Sequence, residues 1–264
     1  GYTFIHPFDD ENVIAGQGTI GLELLDQLPD VEAVVVPVGG GGLISGVAYA
    51  VKSLNPSVKV YGVQASGAPS MVNSLHDHKQ EKLAKVSTIA DGIAVKEPGS
   101  VTFDICSRYV DDIVTVSEDE ICAAILHLIE SEKMVAEGAG AASVAAVMFN
   151  KVPVKGKKTI CVVSGGNIDV TILSRVINRG LAKSGRICTL IIELADKPGQ
   201  LLKVCQVIAA QGGNIVSVYH ERNNDSKKVT DCVLRLSVET KNQEHVESIT
   251  KALTDNGLKI RENI

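Results

Sequence analysis

A run of four glycines, Gly39 to Gly42, stands between a β-branched stretch that ends at Val38 and an apolar stretch with helical spacing. Glycine costs conformational entropy on folding, so this concentration indicates that the backbone must approach another group closely. The N–H groups of such a loop and of the following helix can bind a phosphate without a lysine. The alternative is a strand-to-helix crossing that needs glycine only for packing.

Two nucleotide-binding motifs fit this loop poorly. A dinucleotide fingerprint, G-x-G-x-x-G/A, would need a glycine or alanine where Ile44 or Ser45 stands, and the next strand ends with Gln64 where an acid is expected. A P-loop would need lysine after Gly46, where the sequence has valine. A nucleotide-binding oxidoreductase is therefore only the runner-up.

A second loop, Ser164-Gly165-Gly166-Asn167, also follows an apolar strand pattern and precedes a helical one. We expect Ser164 at the carboxyl end of a parallel strand, where open α/β sheets bind ligands. As an alternative, Ser164 would be the N-cap of the next helix. Two such loops in one sheet favour a ligand whose phosphate and ring are held separately.

Composition restricts the class of partner. The 264 residues are 45% hydrophobic, carry a net charge of -5 with acids and bases interspersed, and include six cysteines without a CxxC pair. These features argue against a zinc knuckle, a disulfide framework, a nucleic-acid surface and a membrane patch, and they predict a cytoplasmic protein that binds small molecules. His76 and His78 flank Asp77 in a charged stretch, which favours solvated surface over metal ligation.

The elements that must position these loops alternate between strand and helix up to about residue 182. Strand patterns at 33–38, 59–65, 113–116 and 159–163 are separated by helical patterns, one of which begins at a capping box formed by Ser117 and Glu120. This alternation predicts an α/β domain with a parallel sheet.

The order of elements changes after a polar break at 183–186. Strands at 187–194, 215–222, 229–238 and 259–262, helices at 199–211 and 243–256, and a turn at 223–226 make one βαββαβ unit. We therefore predict two domains, residues 1–182 and residues 183–264, the second with a ferredoxin-like fold.

Several ordered motifs together resemble threonine ammonia-lyase, a family of fold type II pyridoxal-phosphate enzymes. They are His6-Pro7-Phe8-Asp9-Asp10 with Ala15-Gly16-Gln17-Gly18-Thr19, then Pro37 to Leu43, Ile89 to Val95, Glu137-Gly138-Ala139-Gly140-Ala141, and Ser164 to Asn167. Residues 196–201 and 213–215 are similar to the start of an ACT domain, a regulatory module that senses amino acids.

The resemblance implies pyridoxal 5'-phosphate as cofactor and conversion of threonine, and also of serine, to 2-oxobutanoate or pyruvate and ammonia. It implies these cofactor-binding residues: Gly39, Gly40, Gly41 and Gly42 at the phosphate, Leu43 next to them, Ser164 at the pyridine nitrogen, Glu137 near the ring and Gly92 at the entrance. Glu137 could instead only begin a helix, and Gly92 could be a turn glycine. Gln64 stands where some relatives carry a glutamate for a cation, so no metal is predicted.

The lysine that binds this cofactor covalently has no counterpart in the sequence. The family carries it in a Ser-Phe-Lys-like stretch, followed by a Ser-Gly-Asn-His-like loop, and both normally precede the point where this sequence begins. We therefore expect the C-terminal portion of such an enzyme, with no catalytic residue of its own and no activity alone. The alternative is a non-enzymatic amino-acid sensor.

For residues 183–264 the resemblance adds allosteric regulation by an amino-acid effector. Gly199, Gln200 and Leu201 begin a helix whose free N–H groups could receive a carboxylate, and Asn214 could contact the ligand close by. Such domains usually pair across an edge, so we expect a homodimer or tetramer with the ligand between two copies. A dimerisation module without a ligand is the alternative.

Overall fold

The structure is a computed structural model that describes residues 2–222 and 231–261. The chain divides into two compact units, Gly1–Val176 and Ile177–Ile264. The predicted turn at 223–226, the start of the third strand of the second unit and Glu262 lie outside the described residues. In the part of the chain described, no helix has the length and apolar character needed to cross a membrane.

The first unit contains a four-stranded parallel sheet. Its strands are β1 (Ala33–Pro37), β2 (Lys59–Ala65), β3 (Asp112–Val116) and β4 (Thr159–Cys161), in the order β3-β2-β1-β4. Its helices are α1 (Glu11–Gln27), α2 (Gly42–Leu54), α3 (Ser70–His76), α4 (Ser100–Tyr109), α5 (Glu118–His127) and α6 (Gly138–Met148). The helix α7 (Val170–Lys183) spans the boundary between the two units.

Strand β1 is buried on both faces because its side chains alternate between two hydrophobic cores. Ala33 and Val35 pack into one core with α5 and α6, whereas Val34 and Val36 pack into the other with α2. Parallel sheets are typically covered by helices on both faces, which explains the unbroken β-branched run in the sequence. The glycine loop therefore follows a strand that is held between the two cores of the first unit.

The loop at Ser164 differs from expectation. Strand β4 ends at Cys161, two residues before the predicted end, and α7 begins only at Val170. The side chain of Asp169 accepts hydrogen bonds from the N–H groups of Thr171 (2.7 Å) and Ile172 (3.3 Å), so Asp169 caps this helix. The alternative interpretation of Ser164 as the N-cap is wrong.

The second unit is an antiparallel sheet covered on one face by two helices. Its strands are β5 (Ile187–Ala195), β6 (Asn214–Glu221), β7 (Asp231–Glu239) and β8 (Lys259–Arg261), in the order β6-β7-β5-β8, and its helices are α8 (Gln200–Ala210) and α9 (Gln243–Asp255). One core, which includes Leu190, Ile208, Leu236 and Leu253, joins the sheet to the helices. The predicted βαββαβ, ferredoxin-like arrangement is confirmed.

Candidate functional site

A cavity of about 340 Å³ opens at the carboxyl edge of the parallel sheet. Its wall is formed by Pro7, Phe8, Pro37, Gly39, Gly40, Gly41, Gly42, Leu43, Gly92, Ile93, Val95, Glu137, Ala139 and Ser164. The structure thus brings together all of the residues that the resemblance implied for the cofactor, although they come from four separate segments of the sequence. No lysine is among the described residues that line this cavity.

The glycine loop has free N–H groups at the start of α2. Gly41 is the N-cap, with a φ of 100°, and no side chain caps the helix. Among the described residues, the N–H groups of Gly39 to Gly42 donate no hydrogen bond. Unpaired donors at a helix N-terminus, next to a cavity, suit an anion such as a phosphate.

Packing alone also requires glycine in this loop. A Cβ at Gly40 would lie 2.3 Å from the Phe8 ring, and a Cβ at Gly42 would lie 2.9 Å from the Phe8 backbone. A Cβ at Gly41 would lie 2.8 Å from that of Thr102. The close approach indicated by the sequence is therefore an approach to protein groups as well, so the packing and phosphate-binding interpretations are compatible.

Gln64 holds the glycine loop in place through hydrogen bonds of its side chain. Its buried side chain donates through Nε2 to the carbonyls of Val38 (3.3 Å) and Gly39 (3.5 Å), and its Oε1 accepts from the N–H groups of Met71 and Val72, both at 2.9 Å. Gln64 thereby joins the end of β2, the glycine loop and α3. In the sequence, Gln64 argues only against a dinucleotide site and a cation site, and its role in positioning the loop is visible only through these tertiary contacts.

Asp9 and Thr102 hold the other side of the loop. Thr102 donates through Oγ1 to the Gly40 carbonyl at 2.6 Å, while the Asp9 carboxylate accepts N–H groups of Ser100, Val101 and Thr102 at the start of α4. Burial alone would raise the pKa of Asp9, but the hydrogen bonds from Thr102, Ser100 and Val101 outweigh it and lower the pKa. An ionised Asp9 thus fixes α4 and, next to it, Phe8.

Glu137 and Ser164 form the opposite wall of the cavity. Glu137 is the N-cap of α6, yet its side chain accepts no capping hydrogen bond. Its Oε1 lies 2.3 Å from where a Cβ on Gly165 would be and 3.4 Å from where a Cβ on Gly92 would be. The carboxylate therefore lies between the Gly92 loop and the Ser164 loop, and its backbone N–H donates to the Gly165 carbonyl at 3.1 Å.

A second cavity, of about 470 Å³, lies in the second unit. It is lined by Leu194, Ala195, Asp196, Lys197, Pro198, Gly199, Gln200, Leu201, His220, Arg222, Cys232 and Leu234. Gly199 is the N-cap of α8, with a φ of 88° and no side-chain cap. The N–H of Gln200 donates to the Lys197 carbonyl at 3.4 Å, whereas among the described residues the N–H groups of Gly199 and Leu201, which also line this cavity, donate no hydrogen bond. Burial raises the pKa of the Cys232 thiol, and the Asp196 carboxylate raises it further.

The predicted proximity of Asn214 to Gly199 is wrong within one copy of the chain. Asn214 begins β6 opposite Glu239, to which its side chain donates a 2.8 Å hydrogen bond, and Glu239 in turn pairs with Ile187 at the start of β5. Gly199 follows the other end of β5. At about 3.3 Å per residue, the nine-residue length of β5 separates the two sites by roughly 26 Å.

The site and fold agree with the comparison with known families. Residues 1–166 match the family described as pyridoxal-phosphate dependent enzyme, and residues 184–256 match the ACT domain. The chain therefore belongs to the pyridoxal-phosphate dependent enzymes and carries a C-terminal ACT domain.

The names of individual relatives indicate a more specific class of enzyme than the family does. The chain is 52% identical to the L-threonine ammonia-lyase of Thermotoga maritima, over 99% of this chain and 65% of that protein, and 45% identical to the L-threonine ammonia-lyase of Geobacter sulfurreducens, over 96% and 63%. It spans less than two thirds of the length of either. The processed form of threonine deaminase isoform 2 from Solanum lycopersicum superposes with a TM-score of 0.64 at 42% identity, covering 68% of this chain and 53% of that one.

Proposed function

We propose that this chain forms the larger part of a pyridoxal-phosphate dependent threonine ammonia-lyase, which converts L-threonine, and also L-serine, to 2-oxobutanoate or pyruvate and ammonia. The observation that carries the proposal is the cavity lined both by Gly39 to Gly42, whose N–H groups donate no hydrogen bond among the described residues, and by Ser164. The names of the relatives supply the substrate class.

The residues present fit the cofactor. The four N–H groups of the glycine loop would bind its phosphate, since they offer several donors and the positive end of the α2 dipole. The Ser164 hydroxyl would hydrogen-bond to the pyridine nitrogen across the cavity. When bound, pyridoxal phosphate supplies an electron sink for the negative charge that develops at the α-carbon of an amino acid.

Ser164 would also set the strength of that sink. A neutral hydroxyl does not hold a proton on the ring nitrogen as a carboxylate would, so it favours a milder sink, suited to elimination of a β-hydroxyl. Glu137, whose carboxylate reaches between Gly92 and Gly165, would lie near the ring. The wall formed by Phe8 and Ile93 would exclude water from one side of the reacting atoms.

The activity would require a lysine that this chain does not place in the cavity. A covalently bound cofactor and transfer of the α-proton both need that amine. Because none lines the cavity in the described part of the chain, we expect the chain alone to be inactive. The alternative, a sensor without catalysis, rests on the second cavity, where the free N–H groups at the start of α8 could receive an amino-acid carboxylate in an oligomer.

A chimeric enzyme would test this proposal. We would join the chain to the part of the Thermotoga maritima relative that it does not cover and measure 2-oxobutanoate release from L-threonine. We expect turnover in the chimera, and a loss of at least tenfold in kcat for Ser164→Asp with the cofactor still bound, because the phosphate contacts remain. Ser174→Asp, the same change at an exposed serine on α7, is the matched control. Unchanged turnover in Ser164→Asp would exclude Ser164 as the partner of the ring nitrogen.

A further inference from the structure

Three side chains with different metal-ligand chemistry meet in the second unit. Asp196 follows β5, His220 lies near the end of β6 and Cys232 near the start of β7, and their ligand atoms all lie within 4.8 Å of one another. Because β7 is antiparallel to both β5 and β6, these three positions fall at the same end of the sheet. The convergence is thus a consequence of topology.

The strand register places the imidazole and the thiol on one face of the sheet. Cys232 and Leu234 are two residues apart on β7, so their side chains point the same way, and His220 pairs directly with Leu234. Asp196, His220 and Cys232 all line the cavity of about 470 Å³, which leaves room for an ion and for a further ligand. Cys232 is only 3% exposed, whereas the side chains of Asp196 and His220 are each 35% exposed.

The two oxygens of Asp196 have different environments. Oδ2 lies 3.1 Å from Nε of Arg222, which forms an ion pair with it, whereas Oδ1 lies 3.8 Å from Nε2 of His220. The latter separation is too long for a hydrogen bond. It is close to the separation of about 3.3–3.6 Å that two ligand atoms have around a tetrahedral zinc ion. Arg222 therefore orients the carboxylate and leaves Oδ1 available.

We propose that Asp196, His220 and Cys232 bind a single divalent transition-metal ion of the zinc type. An oxygen, an imidazole nitrogen and a thiolate sulfur make a ligand set that suits Zn²⁺, while Mg²⁺ and Ca²⁺ prefer oxygen alone. Three protein ligands leave a fourth position for water, as in open zinc sites. The carboxylate and the thiolate together balance the charge of the ion. The site is independent of the chemistry proposed for the first unit.

Two simpler arrangements compete with this one. Asp196 could serve only as the ion-pair partner of Arg222, and Cys232 could act only as a small apolar side chain that closes the core, as buried cysteines often do. Neither arrangement would show a metal–sulfur bond. A spectroscopic signal from that bond therefore distinguishes metal binding from both alternatives.

Cobalt substitution in the whole 264-residue chain provides that signal. We expect Co²⁺ to bind once per chain, to give near-ultraviolet thiolate-to-metal absorption together with visible bands of a tetrahedral ion, and to be displaced by Zn²⁺. His220→Gln and Asp196→Asn should each weaken binding by about tenfold or more, and Cys232→Ser should abolish the thiolate absorption. The exposed positions of His220 and Asp196 make these two variants safe for the fold even if Cys232→Ser unfolds.

Matched controls are available on the same unit. Cys205→Ser on α8 and His245→Gln on α9 change the same residue types outside the group and should leave both the absorption and the affinity unchanged. The proposal is overturned if Co²⁺ gives no thiolate absorption with the wild-type chain. It is equally overturned if His220→Gln and Asp196→Asn bind Co²⁺ as the wild type does.

Discussion

The Phe8 ring occupies the space that a side chain on Gly40 would need. A Cβ at Gly40 would come 2.3 Å from Cε2 of that ring, which is far inside van der Waals contact. The N-terminal His6-Pro7-Phe8-Asp9 segment and the glycine loop therefore depend on one another, and the shape of the candidate cofactor cavity depends on both.

Replacing Gly40 should disturb this contact. We expect Gly40→Ala to lower the free energy of unfolding by roughly 1–3 kcal/mol, because the ring must move or the loop must shift. Urea unfolding followed by circular dichroism would measure the change. Gly16→Ala on α1 is the control: no atom lies within 4 Å of its Cβ position, so alanine should stabilise the helix by about 0.5–1 kcal/mol. Equal stability of Gly40→Ala and wild type would contradict the contact.

Asp9 should make stability dependent on pH. Its pKa is lowered in the folded chain, so the ionised carboxylate stabilises the fold above the unfolded-state pKa of about 3.9 and this contribution is lost as the pH falls through the folded-state pKa. We expect Asp9→Ala to cost about 1–2 kcal/mol at pH 7, as for a lost helix cap, and less below about pH 4. Unfolding curves of both proteins between pH 3 and pH 7 would show this, with Asp26→Ala on the exposed side of α1 as control. A difference that does not change with pH would count against the charge of Asp9.

Pyridoxal phosphate should form no specific covalent adduct with this chain alone. After mixing with pyridoxal phosphate and reduction with borohydride, we expect peptide mass spectrometry to find no stoichiometric pyridoxyl adduct at a single lysine, because no described lysine lines the cavity. The chimera with the Thermotoga maritima segment is the positive control and should carry one such adduct. A clean adduct at one lysine of the isolated chain would overturn this prediction.

Amino-acid sensing should depend on the start of α8. We expect at least one of isoleucine, valine, threonine and serine to bind the whole chain, and Gly199→Asp to weaken that binding by at least tenfold, because the new carboxylate would repel the one that the N–H groups receive. Isothermal titration would measure both.

The control variant for that experiment is made at a glycine whose backbone conformation is similar to that of Gly199. Gly257→Asp introduces the same side chain at a glycine with a similar positive φ, 77° against 88°, and an equally open Cβ position, but outside the second cavity. Its binding should equal that of the wild type. If none of the four amino acids binds to an oligomeric wild-type chain, the unit acts only in assembly.

Local signals account for what the sequence predicted well. The strand Lys59–Ala65 and the capping box of Ser117 and Glu120 have the predicted residues because alternation, β-branching and a Ser-x-x-Glu spacing are encoded within a few residues. The glycine loop and Ser164 could be placed at one sheet edge for a similar reason, since parallel strands end on the same side.

Contacts between distant segments could not be predicted in this way. Asp9 caps a helix that begins 91 residues later, and Asp196, His220 and Cys232 are separated by 24 and 12 residues with no local motif. Asn214 lies far from Gly199 because β5 and β6 both pair antiparallel with β7 and therefore run in the same direction, so the start of β6 lies at the end of the sheet opposite the loop after β5. Only the pairing register shows that.

The distance between Gly199 and Asn214 has a consequence for measurement. An amino acid spans only a few ångströms, so a ligand that touches both residues must take one from each of two copies of the chain. Two-fold symmetry then makes two equivalent sites in each pair of chains. Apparent affinity would fall as the protein is diluted below the dissociation constant of the pair, and saturating ligand would in turn shift the sedimentation profile toward the dimer.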